Sequence, residues 1–221
     1  MKAYLLFEQS GTFKNAFKEV GVEAYDFDIL NDFGETDYVM DLFAEIENAY
    51  RGGQSVFDKI TSDDLIFAFF PCTRFENQIV LHFTGNARQC KNWTLEQKLE
   101  LDLKLHEELH LFYSMVTKLV LVCEKKNLKL IIENPYSQQH YLSRYWALKP
   151  ALIDKDRSRR GDYFKKPTQY FFVNCQPKNE IIFDYMEEVP EQKTIGHTSD
   201  KVERSLISPI YARRFIKEFI I

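Results

Sequence analysis

A chain of 221 residues with 45% hydrophobic content is long enough to bury one substantial core, which excludes a disordered polypeptide. The formal net charge of -4 excludes broad electrostatic affinity for duplex nucleic acid, because counterion release needs many Lys and Arg facing phosphate; any such contact has to be local. No apolar run reaches the roughly eighteen residues that a membrane span needs.

In chain order, Ala3 to Phe7 reads as a strand, followed by a helix near Thr12 to Val20, a strand from Glu23 to Phe27 and a helix near Val39 to Tyr50. The apolar run Leu65 to Phe70 reads as a buried strand. Gly85 to Trp93 reads as a loop above its edge, of the kind that serves as a lid. A long helix from Thr94 to about Lys126 leads into a strand from Leu128 to Ile132. Short strands are expected at Tyr170 to Val173 and Glu180 to Phe183. Ile210, Ala212, Phe215 and Phe219 have helical spacing, so a closing helix is expected over Pro209 to Ile221. The alternation predicts an α/β fold with a single doubly wound, mostly parallel sheet, residues 1–221 forming one domain with a small insert at about 174–204.

Pro71-Cys72 closes the Leu65 to Phe70 run. A proline cannot continue the ladder, so the cysteine is delivered to the C-terminal edge, where open parallel sheets place their chemistry. Leu128 to Ile132 ends in Glu133-Asn134-Pro135, which puts a carboxylate at a second strand end. Together they read as a nucleophile and an acid; singly, Cys72 reads as a buried thiol and the tripeptide as a strand-stopping turn. Cys72, Cys90, Cys123 and Cys175 have neither a zinc-ribbon nor a Cys-x-x-Cys spacing, and Met1 to Phe7 has no basic leader. The expectation is a cytoplasmic protein with reduced thiols.

Two other motifs compete. His106-Glu107-Glu108-Leu109-His110 matches the helical zinc motif H-E-x-x-H, but Leu95, Leu99 and Leu103 share its face, so the histidines read as the border of a core stripe and no metal is expected. Lys155 to Lys166 is the densest basic stretch. Arg159, Arg160, Lys165 and Lys166, with Tyr163 and Phe164 between them, form either a solvated loop or a local contact for a phosphate backbone.

Taken in order, these residues resemble DNA cytosine-5 methyltransferases, in particular a short, divergent branch often carried by phages. Leu6-Phe7-Glu8-Gln9-Ser10-Gly11-Thr12-Phe13 is similar to the family's first motif, and Pro71-Cys72 and Glu133-Asn134-Pro135 to its catalytic Pro-Cys and Glu-Asn-Val. Asp28, Asp41 in Asp41-Leu42-Phe43, and Arg204-Ser205-Leu206-Ile207-Ser208-Pro209 fall where the family has its ribose, adenine and final motifs. The resemblance implies a methyltransferase-type sheet, S-adenosylmethionine held by Phe7, Gly11, Thr12, Asp28, Asp41 and Ser205, and a cytosine in DNA or a nucleotide as substrate. It further implies that Cys72 attacks ring carbon 6 while Glu133, supported by Pro71 and Asn134, acts at ring nitrogen 3. Gln9 and Thr12 stand in for two glycines, and Lys165 to Gln169 lacks the family's two arginines. About thirty residues separate that stretch from the final motif, too few for a target-recognition domain. These departures keep open a non-catalytic binding protein on the same fold, acting on nucleic acid or on a host partner. Asn134-Pro135-Tyr136 also resembles, without its second proline, the Asn-Pro-Pro-Tyr motif of amino-group methyltransferases.

Overall fold

The computed structural model describes residues 1–76, 82–85, 87–182, 190–191, 193 and 201–221. β1 (Ala3–Leu6), α1 (Thr12–Glu19), β2 (Ala24–Asp28), β3 (Tyr38–Val39), α2 (Leu42–Tyr50) and β4 (Leu65–Ala68) make up the first half. They are followed by α3 (Leu95–Lys126), β5 (Lys129–Pro135), α4 (Tyr141–Tyr145), β6 (Leu152–Asp154), β7 (Thr168–Val173), α5 (Lys201–Ser205) and α6 (Pro209–Phe219). The strands form one sheet in the order β3-β2-β1-β4-β5-β7-β6, in which β7 alone runs antiparallel to its neighbours. The fold is therefore α/β and mostly parallel, with a topological switch point between β1 and β4, where open sheets bind ligands.

Every residue of β4 and β7 is buried, as strands covered on both faces require. Leu6, Ile66, Ala68 and Ile132 meet α2 and α3 through Leu42, Ile46, Val116 and Leu119 on one face. Leu5, Phe67, Ile131 and Tyr170 meet α1 and α6 through Phe13, Phe17, Tyr211 and Phe215 on the other. The two-residue alternation along each strand thus feeds two separate cores. α3 owes its sharp start to a capping box, with Gln97 N donating to Thr94 Oγ1 (3.3 Å) and Thr94 N to Gln97 Oε1 (3.0 Å). It stops at Asn127, whose φ of 53° is left-handed. No helix among the described residues is long and apolar enough to cross a membrane.

Several expectations change. β5 runs on through Glu133 to Pro135, because the antiparallel β7 pairs Glu133 with Tyr170 and Pro135 with Thr168. Val39 belongs to the edge strand β3, and α2 starts only after Asp41 caps it. The three-residue β6 is too short to leave a periodic signal. Glu180 to Ile182 form no strand; Glu180 N instead bonds Glu218 O of α6 (2.8 Å), and Phe183 lies outside the described residues, as do residues 184–189, 192 and 194–200 of the insert at 174–204. Leu95, Leu99 and Leu103 are exposed rather than core, since the first turns of α3 extend beyond the sheet. The expected lid carries a short 3-10 turn at Arg88–Cys90, and Asn86 is outside the described residues.

Candidate active site

The turn after β1 begins at Phe7, whose φ of 61° is rare for a bulky residue and so marks a strained position. Its ring packs edge-on against Phe70 (5.2 Å) and Phe43 (6.0 Å), joining the ends of β1 and β4 to α2. Glu8 is buried and accepts from the backbone of Phe13 (2.6 Å) and Lys14 (3.2 Å), supplying the α1 cap that Gly11, lacking a side chain, cannot. Burial lifts the Glu8 carboxyl to about 7 despite those two bonds. Gly11 has a φ of 67°, and a Cβ there would lie 2.8 Å from Glu35 Oε2. Thr12 Oγ1 meets Ser10 Oγ at 3.0 Å, which closes the turn on itself.

The β2–β3 connection folds over this turn. Lys14 Nζ, itself buried, reaches Asp26 (3.2 Å), Asp37 (3.5 Å) and Glu35 (3.7 Å), and Gln9 Oε1 accepts from Asp32 N (3.3 Å). Asp28 ends β2 and accepts from Leu30 N (2.8 Å), with burial raising its carboxyl above the ordinary range. Asp41 caps α2 through Phe43 N (2.9 Å) and Ala44 N (3.2 Å). Phe7, Gly11, Thr12, Asp28 and Asp41 thus lie along one edge of the sheet. Ser205 does not join them: exposed at the end of α5, it bonds its own helix at Val202 O (2.7 Å).

At the neighbouring strand ends, Asn134 Nδ2 donates to Phe70 O (2.8 Å) and to Glu133 O (2.8 Å). Buried in β5, this side chain pins the backbone just ahead of Pro71-Cys72 against the strand that carries Glu133. Cys72 Sγ donates to Glu76 Oε1 at 3.2 Å. Burial, with the Glu76 charge behind it, pushes the Cys72 thiol up to about 12, while Lys166 acts in the opposite sense. At neutral pH the sulfur is therefore a thiol beside a ready proton acceptor.

Glu133 is 9% exposed, and desolvation raises its pKa. Arg157 Nη1, at 3.6 Å, and the charge of Lys166 oppose that rise; Asp162 adds to it. Arg157 is fully buried, bonded through Nε to Asp162 Oδ2 (2.6 Å), and lies 4.9 Å over the Tyr211 ring. Asp162 in turn accepts from Ser208 N (2.9 Å) at the cap of α6. Asp162 thus compensates the buried guanidinium, leaving Glu133 a looser neighbour able to exchange a proton.

The basic stretch divides in two. Arg160 is committed to Glu218 (2.8 Å) and Asp154 (3.1 Å) on the α6 side, and Arg159 is exposed beside Asp156 (3.4 Å), as is Lys165 (3.8 Å). Lys166 alone of the four acts on Cys72 and Glu133. His106 Nδ1 bonds Asp102 O of its own helix (2.9 Å), His110 is exposed, and among the described residues no group of three His, Cys, Asp or Glu side chains is arranged to hold a metal. Sequence reasoning missed Glu76, Arg157 and Asp162. Glu76 follows Cys72 by one helical turn of chain, and Arg157 and Asp162 sit inside a charge run that reads as solvated. Compared with known protein families, the chain matches no family model, and it matches no curated protein sequence.

Proposed function

We propose that this chain is an S-adenosylmethionine-dependent, cytosine-C5 methyltransferase-like enzyme acting on DNA or on a nucleotide. The observation that carries the reading is the Asn134 bridge, which fixes the Cys72 turn against the strand bearing Glu133 at the C-terminal edge of the sheet. The strand order supports it: a doubly wound sheet with one reversed strand between β5 and β6 is what the methyltransferase type requires.

The residues fit the adenosine part of the cofactor. Phe7 offers a ring, Asp28 a carboxylate for the ribose and Asp41 one for the adenine amine, all at the switch point. The Glu35 carboxylate beside Gly11, a 44% exposed side-chain end, would have to swing aside to admit the methionine part. When bound, S-adenosylmethionine supplies an electrophilic methyl group.

The chain's own residues prepare the base. Glu76 takes the thiol proton as Cys72 sulfur bonds to cytosine carbon 6, and Glu133 delivers a proton to nitrogen 3, which leaves electron density at carbon 5. Once carbon 5 has been alkylated, solvent water takes the carbon 5 proton as the sulfur–carbon bond breaks, Glu76 returns its proton to the Cys72 sulfur, and Glu133 recovers the nitrogen 3 proton. The raised pKa of Glu133 suits this donor role, as Arg157 and Lys166 suit its return to carboxylate.

A second reading, a non-catalytic binding protein on the same fold, is favoured by Glu35 over Gly11 and by the suppressed thiolate of Cys72. Mass spectrometry with cofactor and 5-fluorocytosine substrates separates the two. The enzyme traps a covalent adduct that Cys72→Ser abolishes. A protein that binds S-adenosylmethionine yet traps no mononucleotide, single-stranded or duplex substrate is the binding protein.

A further inference from the structure

A groove of about 610 Å³ opens beside the Cys72 turn. Glu76, which accepts a hydrogen bond from the Cys72 thiol, forms part of its wall, and Arg74, His106, Tyr141, Arg144 and Tyr145 are among its other lining residues. We propose that this groove binds unpaired, single-stranded nucleic acid, stacking a base next to the one held at Cys72 on Tyr145 and placing Arg144 against the phosphate. The proposal rests on the reading of Cys72 as the base-modifying end and adds the strandedness of the substrate.

Three observations lead there. The groove is bolted to the catalytic turn, because Tyr141 N donates to Phe75 O at 2.8 Å, which fixes α4 to the residues that follow Cys72. Its aromatic rings form a stepped ladder. Phe75 and Tyr141 stack at 6.2 Å, Tyr113 meets Tyr141 edge-on at 5.5 Å, and Tyr145 follows at 5.1 Å as the outermost rung, 58% exposed. A large ring left uncovered at the end of a packed series offers a π-face to any base, whatever its identity.

The third observation is charge. Arg144 lies 5.3 Å from the Tyr145 ring centre, and no carboxylate pairs with it among the described residues. Arg74, by contrast, is held by Glu108. A guanidinium that lies over an exposed ring and pairs with no carboxylate among the described residues suits a strand whose base and phosphate are reached together. A duplex is a poor match: its bases are stacked out of reach of the ladder, duplex-specific interfaces bury about 1,000–2,500 Å² of protein surface, and the chain carries a net charge of -4.

Fluorescence anisotropy with labelled cytosine hexamers, as DNA, as RNA and as DNA duplex, tests this on the whole chain without cofactor. At least one single-stranded hexamer should bind more tightly than the duplex. Tyr145→Ala should weaken that binding about tenfold to a hundredfold, the usual range for one lost stacking contact. Tyr145→Trp should retain it, and Arg144→Gln should weaken it and flatten its salt dependence. Tyr145 is exposed, so neither variant threatens the fold. The proposal is overturned if neither single strand binds, if the duplex competes equally, or if Tyr145→Ala and Arg144→Gln bind like wild type. Wild-type chain that binds the single strand yet forms no fluorocytosine adduct removes the transferase reading and leaves the groove standing; an adduct that forms unimpaired in Tyr145→Ala removes the groove alone.

Discussion

Glu76→Gln should make Cys72 react faster with an alkylating agent and slower with cytosine. A thiol pushed up to about 12 from an ordinary 9.0 is ionised about a thousandfold less often at neutral pH. The more basic sulfur is also the better nucleophile, with a Brønsted slope of about 0.4–0.5, so the net retardation of alkylation is about thirtyfold to sixtyfold. Removing the charge that faces Sγ at 3.2 Å relieves part of this. Like charges about 4 Å apart repel by about 1 kcal/mol in bulk water and about 4 kcal/mol at the effective dielectric of a protein surface. With the same offset for nucleophilicity, alkylation of Cys72 should quicken at least about twofold, and by less than the full thirtyfold to sixtyfold because burial, the larger cause, remains. Iodoacetamide labelling followed by peptide mass spectrometry reads this directly, with the buried Cys90 and Cys123 as internal references. Fluorocytosine trapping should move the opposite way, since the glutamine cannot accept the thiol proton. A variant that alkylates no faster than wild type refutes the electrostatic account of Glu76, and one that traps cytosine as fast as wild type refutes its role as proton acceptor.

Arg157→Met strands Asp162 without its buried partner and should cost about 3–5 kcal/mol by urea denaturation, whereas Asp162→Asn with Arg157→Met should recover much of that loss. The pH dependence of stability should show two opposed contributions. Glu8, raised from 4.5 to about 7, stabilises fully below 4.5 and progressively less as the pH climbs to 7. His140, lowered from 6.5 to about 4 by burial, stabilises fully above 6.5 and less as the pH falls towards 4; each is worth about 3 kcal/mol at full extent. The stability of Glu8→Gln relative to wild type should therefore grow as the pH rises from 4.5 to 7, and that of His140→Gln as the pH falls from 6.5 to 4. Differences that stay constant with pH contradict both assignments.

What the sequence showed and what it hid follow from one distinction. Residues whose role depends on local geometry were legible. The apolar run ahead of Pro71 contains the buried strand β4, the helix expected from Thr94 to about Lys126 is α3, and Glu133-Asn134 directly follows the apolar run of β5. Residues whose role depends on a distant partner were not. Arg157 reads as one more cation in a basic stretch until Asp162 and Tyr211 bury it, and Arg160 reads the same way until Glu218 claims it. The leucines at 95, 99 and 103 mislead for the converse reason: their periodicity is that of a core stripe, but a helix of 32 residues outruns the sheet that would cover it. Glu133 belongs to both groups, since its place at a strand end is local while its burial beneath Arg157 is not.

The tie from Glu133 through Arg157 and Asp162 to Ser208 also sets an order of events during synthesis. Cys72 leaves the ribosome well before α6, and at about 5–20 residues per second the interval to Tyr211 is on the order of ten seconds. Throughout that interval the nascent chain carries Cys72 and Glu133 without the assembled charges that surround Glu133 in the fold. α6 is thus the closing step in assembling the surroundings of Glu133, although Glu133 itself is synthesised long before it.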